Sequence, residues 1–382
     1  MAKHQSADPA TDATEALIER GVAWHADAAD ALSGGRAVQA RRLAERALRA
    51  LEETLGPDSL DVANVHMLRA RIALTEGRMD DALLAAERAH ALTRGARGDA
   101  DVATLRLNGV DVLAEVRRSR GDLAGAAKLL QGARAATIRA FGIQSLEVAR
   151  LENHRGIVAK FRGRYAEAAR HYAEALAIYS TQPEGPASPI DPADLAGLHH
   201  NLGGLAHARN RPAEGLASAR KALEIRRALH GDEHPDVAAD ASALAALLDQ
   251  LDERVEAEAL YRQALATFER TLGPGHFEVA FNLGNLGALL DRIGRKDEAL
   301  PLYQKAVKLK RRWFGGPNWD LALTLNNLAV HHDECGRGRE AVATYTEALA
   351  MLTETLGAEH PHTKACAANL AGLKKDGGGK GR

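Results

Sequence analysis

An all-α chain of repeated helix pairs is the fold that the 382-residue sequence predicts, on three observations. Apolar residues recur with the helical period, and no alternating run of strand length stands out. Alanine, the best helix former, runs through nearly every segment, while aromatics make up only 4 %. Most decisively, the chain aligns on itself: Tyr261, Tyr303 and Tyr345 fall 42 residues apart, as do Ala264, Ala306 and Ala348 and the closing glycines Gly231, Gly273, Gly315 and Gly357.

Walking through the repeats in order, a turn residue is expected in the middle of each unit, at Gly35, Gly77, Gly121, Gly163, Asn210, Asp252, Gly294 and Gly336. The steps between them are 42, 44, 42, 47, 42, 42 and 42 residues. Glycine, asparagine and aspartate tolerate the left-handed conformation that ends a helix. Each turn therefore separates a first from a second amphipathic helix, as in Val279–Ile293 and Lys296–Trp313. Linkers such as LGPGH and HGDEHPD join the units: their glycine stops one helix, and Pro235 or Pro361 suits the first turn of the next. The count is about eight helix pairs plus a lone capping helix. The expected division is a disordered start at 1–10, repeats one to four at 11–180, a loop at 181–194, repeats five to eight at 195–357, a capping helix at 358–375 and a disordered tail at 376–382. The run STQPEGPASPIDPAD, with four prolines, supplies the five extra residues of the 47-residue step. It reads as a longer loop or as a hinge between two halves.

Composition narrows the function. Fifty basic and fifty-one acidic residues leave a net charge of −1, so no overall field draws the chain to nucleic acid or anionic lipid. The two cysteines, Cys335 and Cys366, exclude a disulfide framework and point to a reducing compartment. The N-terminus has no apolar signal segment, and no run of eighteen apolar residues occurs. A cytoplasmic location is expected.

The blocks TLNNLAVHHDECGRGREAVATYTEALAMLTETLGAEHP (324–361), NLGNLGALLDRIGRKDEALPLYQKAV (282–307) and GRYAEAARHYAEALAIY (163–179) resemble tetratricopeptide repeats of the 42-residue, kinesin-light-chain-like type. The resemblance covers roughly 11–375 and is weakest in repeat one. It implies a tetratricopeptide-repeat superhelix, an α–α solenoid whose first helices line a concave groove, and a non-enzymatic scaffold or adaptor that binds a protein or peptide segment there. The alternative is a ligand-responsive regulator of a partner enzyme or transcription factor.

Under that resemblance, counting back from each turn gives the inward positions: His200, Asn201, Gly204 and His207 in repeat five, Ser242, Ala243, Ala246, Asp249 and Gln250 in repeat six, Phe281, Asn285, Ala288, Asp291 and Arg292 in repeat seven, and Asn326, Asn327, Val330, Asp333 and Glu334 in repeat eight. Asn201, Asn285 and Asn327 share the slot nine residues before the turn, although repeat six has Ala243 there. An asparagine amide offers donors and an acceptor to an extended peptide backbone, and it can equally bond a neighbouring helix. Asp249, Asp291 and Asp333 form a second ladder, which requires solvent or a basic ligand. Arg71, Arg118, Arg150 and Lys160 are its basic counterpart toward the N-terminus. The expected peptide-binding residues are therefore Asn201, Asn285, Asn326, Asn327, His200, Phe281, Asp249, Asp291, Asp333 and Arg292.

No catalytic motif, small-molecule substrate, metal or cofactor is indicated. HGDEH (230–234) has inverted zinc-protease spacing but lies in a linker. His331 with Cys335 and His362 with Cys366 are pairs four apart, better read as packed or exposed side chains. The basic run KAVKLKRRW (305–313) sits on a second helix, whose outer face is normally solvated, and argues little for RNA.

Overall fold

The computed structural model describes residues 9–377 except 184, 186 and 187. Among these residues there are seventeen helices and no strand. In chain order the pairs are α1 (Pro9–Ser33) with α2 (Ala37–Leu55), α3 (Leu60–Thr75) with α4 (Met79–Arg94), α5 (Ala100–Ser119) with α6 (Leu123–Phe141), and α7 (Leu146–Phe161) with α8 (Tyr165–Ser180). Then follow α9 (Pro192–Ala208) with α10 (Pro212–His230), α11 (Pro235–Gln250) with α12 (Arg254–Thr271), α13 (Phe277–Arg292) with α14 (Lys296–Phe314), and α15 (Trp319–Glu334) with α16 (Gly338–Leu356). The lone α17 spans Pro361–Gly377. Of the termini expected to be disordered, residues 9–10 and 376–377 are helical, while 1–8 and 378–382 lie outside the described residues.

All eight mid-repeat turn residues have positive φ, from 70° to 85° at the six glycines, 54° at Asn210 and 64° at Asp252. The backbone then closes the same way each time. In repeat seven the N–H of Arg295 donates to the carbonyl of Leu290 at 2.9 Å and that of Gly294 to Asp291 at 3.0 Å. This 6→1 and 5→2 pattern satisfies the last carbonyls of the first helix and reverses the chain in two residues. At the other end of the units, His234, His276, Asn318 and His360 stand 42 apart and cap the following helix. Nδ1 of His234, His276 and His360 accepts the backbone N–H two residues on, at 3.1, 3.2 and 3.2 Å, and Asn318 Oδ1 accepts from Asp320 at 2.8 Å. The linker histidines are thus N-caps held as the Nε2–H tautomer.

The chain forms two compact units, residues 1–151 and 152–382, which divide inside α7. The loop between α8 and α9 belongs to the second. The first unit packs largely through alanine: Ala40, Ala44 and Ala47 on α2 and Ala82, Ala86 and Ala89 on α4 are fully buried. In the second, a tyrosine stands nine residues after four of the five turns, and Tyr172, Tyr261, Tyr303 and Tyr345 are all buried. Small residues opposite make room for these rings. A Cβ on Gly156 would lie 2.3 Å from Tyr172, and one on Gly287 would lie 3.2 Å from Tyr303. Around these rings Leu247, Leu286, Leu289, Leu325 and Leu352 form a continuous core.

The second unit also coils far enough for its first and last repeats to meet. His360 Nε2 donates to the carbonyl of Phe161 at 3.2 Å, and the Phe161 ring lies 5.1 Å from that of Trp319. Gly163 abuts Pro361, where an added Cβ would sit 2.7 Å from Cδ. Contacts between residues 199 apart in sequence therefore close this seam.

Candidate functional site: the inner surface of the second unit

The first helices α9, α11, α13 and α15 carry the expected groove residues, and the structure divides these into two groups. The first group is engaged within the chain. Asn201 Nδ2 donates to Asn153 Oδ1 at 3.0 Å. His200 Nδ1 lies 2.6 Å from Asp240 Oδ1, and Asp240 also meets Arg226 at 2.7 Å. Asp249 is buried and receives Arg292 from the next repeat, with Nε at 3.2 Å and Nη2 closer still. Asp291 is buried too, with His331 Nδ1 at 2.9 Å and Lys296 Nζ at 3.5 Å. Two rungs of the aspartate ladder are therefore neutralised by cations of this chain, because an unpaired buried carboxylate is costly.

The second group faces outward without a partner. Asn285 and Asn327 are half-buried, and neither makes a side-chain hydrogen bond among the described residues. Asn326 Oδ1 is buried without a partner. Asp333 is exposed. Phe281 is 36 % exposed, with Lys310 Nζ 5.3 Å from its ring centroid. A polar strip thus runs along α13 and α15 beside an accessible aromatic ring. Adjacent inner positions hold cations: His207 feels Lys160 and Arg292, and His362 feels His207. These charges and burial push both imidazoles down to about 4, so both are neutral at pH 7.

Three arrangements escaped sequence reasoning. Lys310 is 2 % exposed and lies 2.5 Å from Asp320 Oδ2 and 2.9 Å from Thr324 Oγ1. The Asp320 contact is a close ion pair, off the alignment of a hydrogen bond. Burial, aided by Asp320 and Asp236, pushes the neighbouring Glu278 carboxyl up to about 7 against the pull of Lys310. Glu152, fully buried, is shared by Arg155 at 2.7 Å and His171 at 2.7 Å. The 305–313 run is largely consumed by such pairs: Lys305 meets Glu269 at 2.9 Å and Arg311 meets Glu347 at 2.8 Å. Only the 42-residue register, which sets Lys310 opposite Asp320, hinted at any of this.

Possible metal ligands are mostly occupied. His331 Nε2 lies 2.7 Å from Arg337, and the Cys366 thiol points at the Tyr345 carbonyl, 3.8 Å away. His230, His234 and Asp236 do converge within 4.8 Å. There His234 Nδ1 is the α11 cap and Asp236 pairs with Arg226 at 3.1 Å.

A seventeen-helix solenoid with αL turns at a 42-residue interval defines a class of helical-repeat interaction protein. Tetratricopeptide-repeat models match residues 103–181, 194–270 and 251–312, and a further one matches 321–362. The chain belongs to the tetratricopeptide-repeat family. No curated protein matches it. Among solved structures it is similar to a Rap protein complexed with Competence and Sporulation Factor, at 14 % identity and TM-score 0.57, covering 94 % of this chain and 98 % of that one. It is also similar to NprR in complex with its cognate peptide NprX, at 13 % identity and TM-score 0.56, covering 80 % and 88 %. The repeats of a putative kinesin light chain from Podosopora anserina align at 18 % identity and TM-score 0.42, over 54 % and 96 %. At these identities the likeness is one of fold. No helix among the described residues is long and apolar enough to cross a membrane.

Proposed function

We infer that this protein is a non-enzymatic scaffold that holds an extended peptide segment of a partner along α13 and α15. The observation that carries this reading is the pair Asn285 and Asn327, 42 residues apart in the same slot and without partners in the chain. Helices of adjacent repeats stack side by side, so two such amides can each take a backbone C=O and N–H of one strand-like ligand. Asn201, bonded to Asn153, buttresses the strip from the preceding repeats. Phe281 offers a ring to an apolar ligand side chain, and Asp333 and Asn326 offer acceptors. Asp249, Asp291, Arg292 and His200 fix the helices that present them. The likeness to NprR, whose structure holds a peptide, supports a peptide-sized ligand for this fold.

A regulatory role is favoured by one feature, the Phe161–His360–Trp319 seam, since a ligand within the coil would bear on the contacts that close it. Small-angle scattering with and without a selected peptide separates the two readings. An unchanged profile supports the scaffold, and a change in radius of gyration supports the switch.

The test of the site is Asn285→Ala with Asn327→Ala. Binding of a peptide selected on the wild-type protein should weaken by about tenfold or more, with each lost amide contact worth about 1 kcal/mol. The melting temperature should stay unchanged. Lost stability with unchanged affinity would assign the two amides to folding.

A further inference from the structure

A second concave site lies in the first unit, away from the inner surface of the second. A cavity of about 570 Å³ runs between α4 and α6 over the buried Leu107 and Val110 of α5. Its α6 wall extends from Gly125 to Phe141, about 24 Å at roughly 1.5 Å rise per residue. The cavity exists because that wall is cut away: Gly125, Gly132, Ala133, Ala136 and Ala140 line it at helical spacing. A Cβ on Gly132 would meet nothing within 4 Å. The volume falls within the range of roughly 300–1,000 Å³ typical of ligand pockets.

Charge distinguishes this cavity from its neighbour. The equivalent trough between α2 and α4, of about 560 Å³, balances its cations with Glu45, Glu52 and Asp81. The α4–α6 cavity carries Arg94, Arg106, Arg117 and Lys128 and no acidic residue among its described lining. The nearest carboxylate is Asp122, 4.0 Å from Arg117 Nε and already accepting from the Gly125 N–H at 2.8 Å. Arg94 and Lys128 are exposed. Arg106 Nε and His90 Nδ1 are buried without hydrogen bonds. Burial and the adjacent Arg94 and Arg117 hold the His90 imidazole below its usual value. The site is thus poised for negative charge.

The lining also says what the anion lacks. It contains donors in number but no Asp, Glu, Asn or Gln, and the Thr137 hydroxyl donates to the Ala133 carbonyl at 3.1 Å. A peptide laid in it would find few acceptors for its backbone N–H groups, a penalty that buried amides do not tolerate. A molecule with an acceptor-only head and a hydrocarbon body meets no such penalty.

We propose that the α4–α6 cavity is a binding site for an amphiphilic carboxylate, its head held by Arg94, Arg117 and His90 and its acyl chain laid along Leu107, Val110 and the cut-away face of α6. The full-length protein is titrated calorimetrically with sodium decanoate, with decylammonium and with an acidic peptide of five residues. Saturable binding of one decanoate per chain is expected, with at least tenfold weaker binding of the other two. Gly132→Leu fills the cavity and raises helix propensity, so it should abolish decanoate binding while circular dichroism is retained. The pair Arg94→Gln and Arg117→Gln should weaken binding at least tenfold. Absence of saturable decanoate binding, equal binding by the Gly132→Leu variant, or preference for the peptide would each overturn the assignment.

Discussion

Lys310→Met tests the energetics of the C-terminal repeats at their most exposed assumption. Lys310 and Asp320 are 2 % and 3 % exposed, with the ammonium 2.5 Å from the carboxylate. Methionine keeps most of the volume and removes the charge. Asp320 is then left buried within the field of Glu278, whose carboxyl its charge already pushes upward. Removing one partner of a buried pair costs about 3–5 kcal/mol, whereas removing both can be near neutral. Lys310→Met alone should therefore destabilise by about 3–5 kcal/mol, and Lys310→Met with Asp320→Asn should recover most of the loss. Urea denaturation followed by tryptophan fluorescence suits the question, because Trp313 and Trp319 flank the pair. Repeat arrays melt in segments, so the loss should appear first in that signal. A single variant within about 1 kcal/mol of wild type, or a double variant no better than the single, would refute the reasoning.

Glu278 should make stability fall as pH rises. Its folded value, about 7, exceeds the model value of 4.5, so the folded state retains a proton that the unfolded chain gives up. Its contribution is complete below pH 4.5 and is lost through pH 7, by up to about 3 kcal/mol. Glu278→Gln should therefore raise the melting temperature at pH 8 and leave it nearly unchanged at pH 4.5, and an equal effect at both would contradict this. His207 and His362 act in the opposite sense. Both are depressed to about 4, so their stabilisation is full above pH 6.5 and declines as pH falls toward 4; replacing both with glutamine should flatten the acid limb of a stability profile. Gly156→Ala drives a methyl to 2.3 Å from the buried Tyr172 ring and should cost about 1–3 kcal/mol. Gly287→Ala meets Tyr303 at 3.2 Å, where Ala245 and Ala329 already face tyrosines in repeats six and eight. It should be neutral or stabilising in thermal denaturation.

The repeat architecture was legible because period, turn chemistry and linker glycines all pointed to one register. The eight turn residues found by self-alignment all adopt positive φ, including Asn210 and Asp252, where sequence type alone was the clue. The pairings across repeats were not legible. Aspartates 42 apart look alike as a ladder, yet Asp249 takes Arg292, Asp291 takes His331 and Lys296, and Asp333 is exposed. Which cation reaches which carboxylate depends on side-chain length and on the rotation between helices, and neither is periodic in sequence. The histidine caps were visible as HGDEHP and LGPGH, but their role required the φ, ψ of the linker to place Nδ1 over the next helix. The seam between Phe161 and His360 depends on superhelical rotation summed over five repeats, which no local pattern encodes.

Selection of short peptides from a random display library on the immobilised full-length protein, with the Asn285→Ala, Asn327→Ala variant as parallel bait, tests the interaction role most directly. Enrichment of an extended consensus on the wild type, at least tenfold weaker on the variant, is the predicted result. Sequences retained equally by both baits, or no enrichment on either, would contradict a peptide-holding strip on α13 and α15.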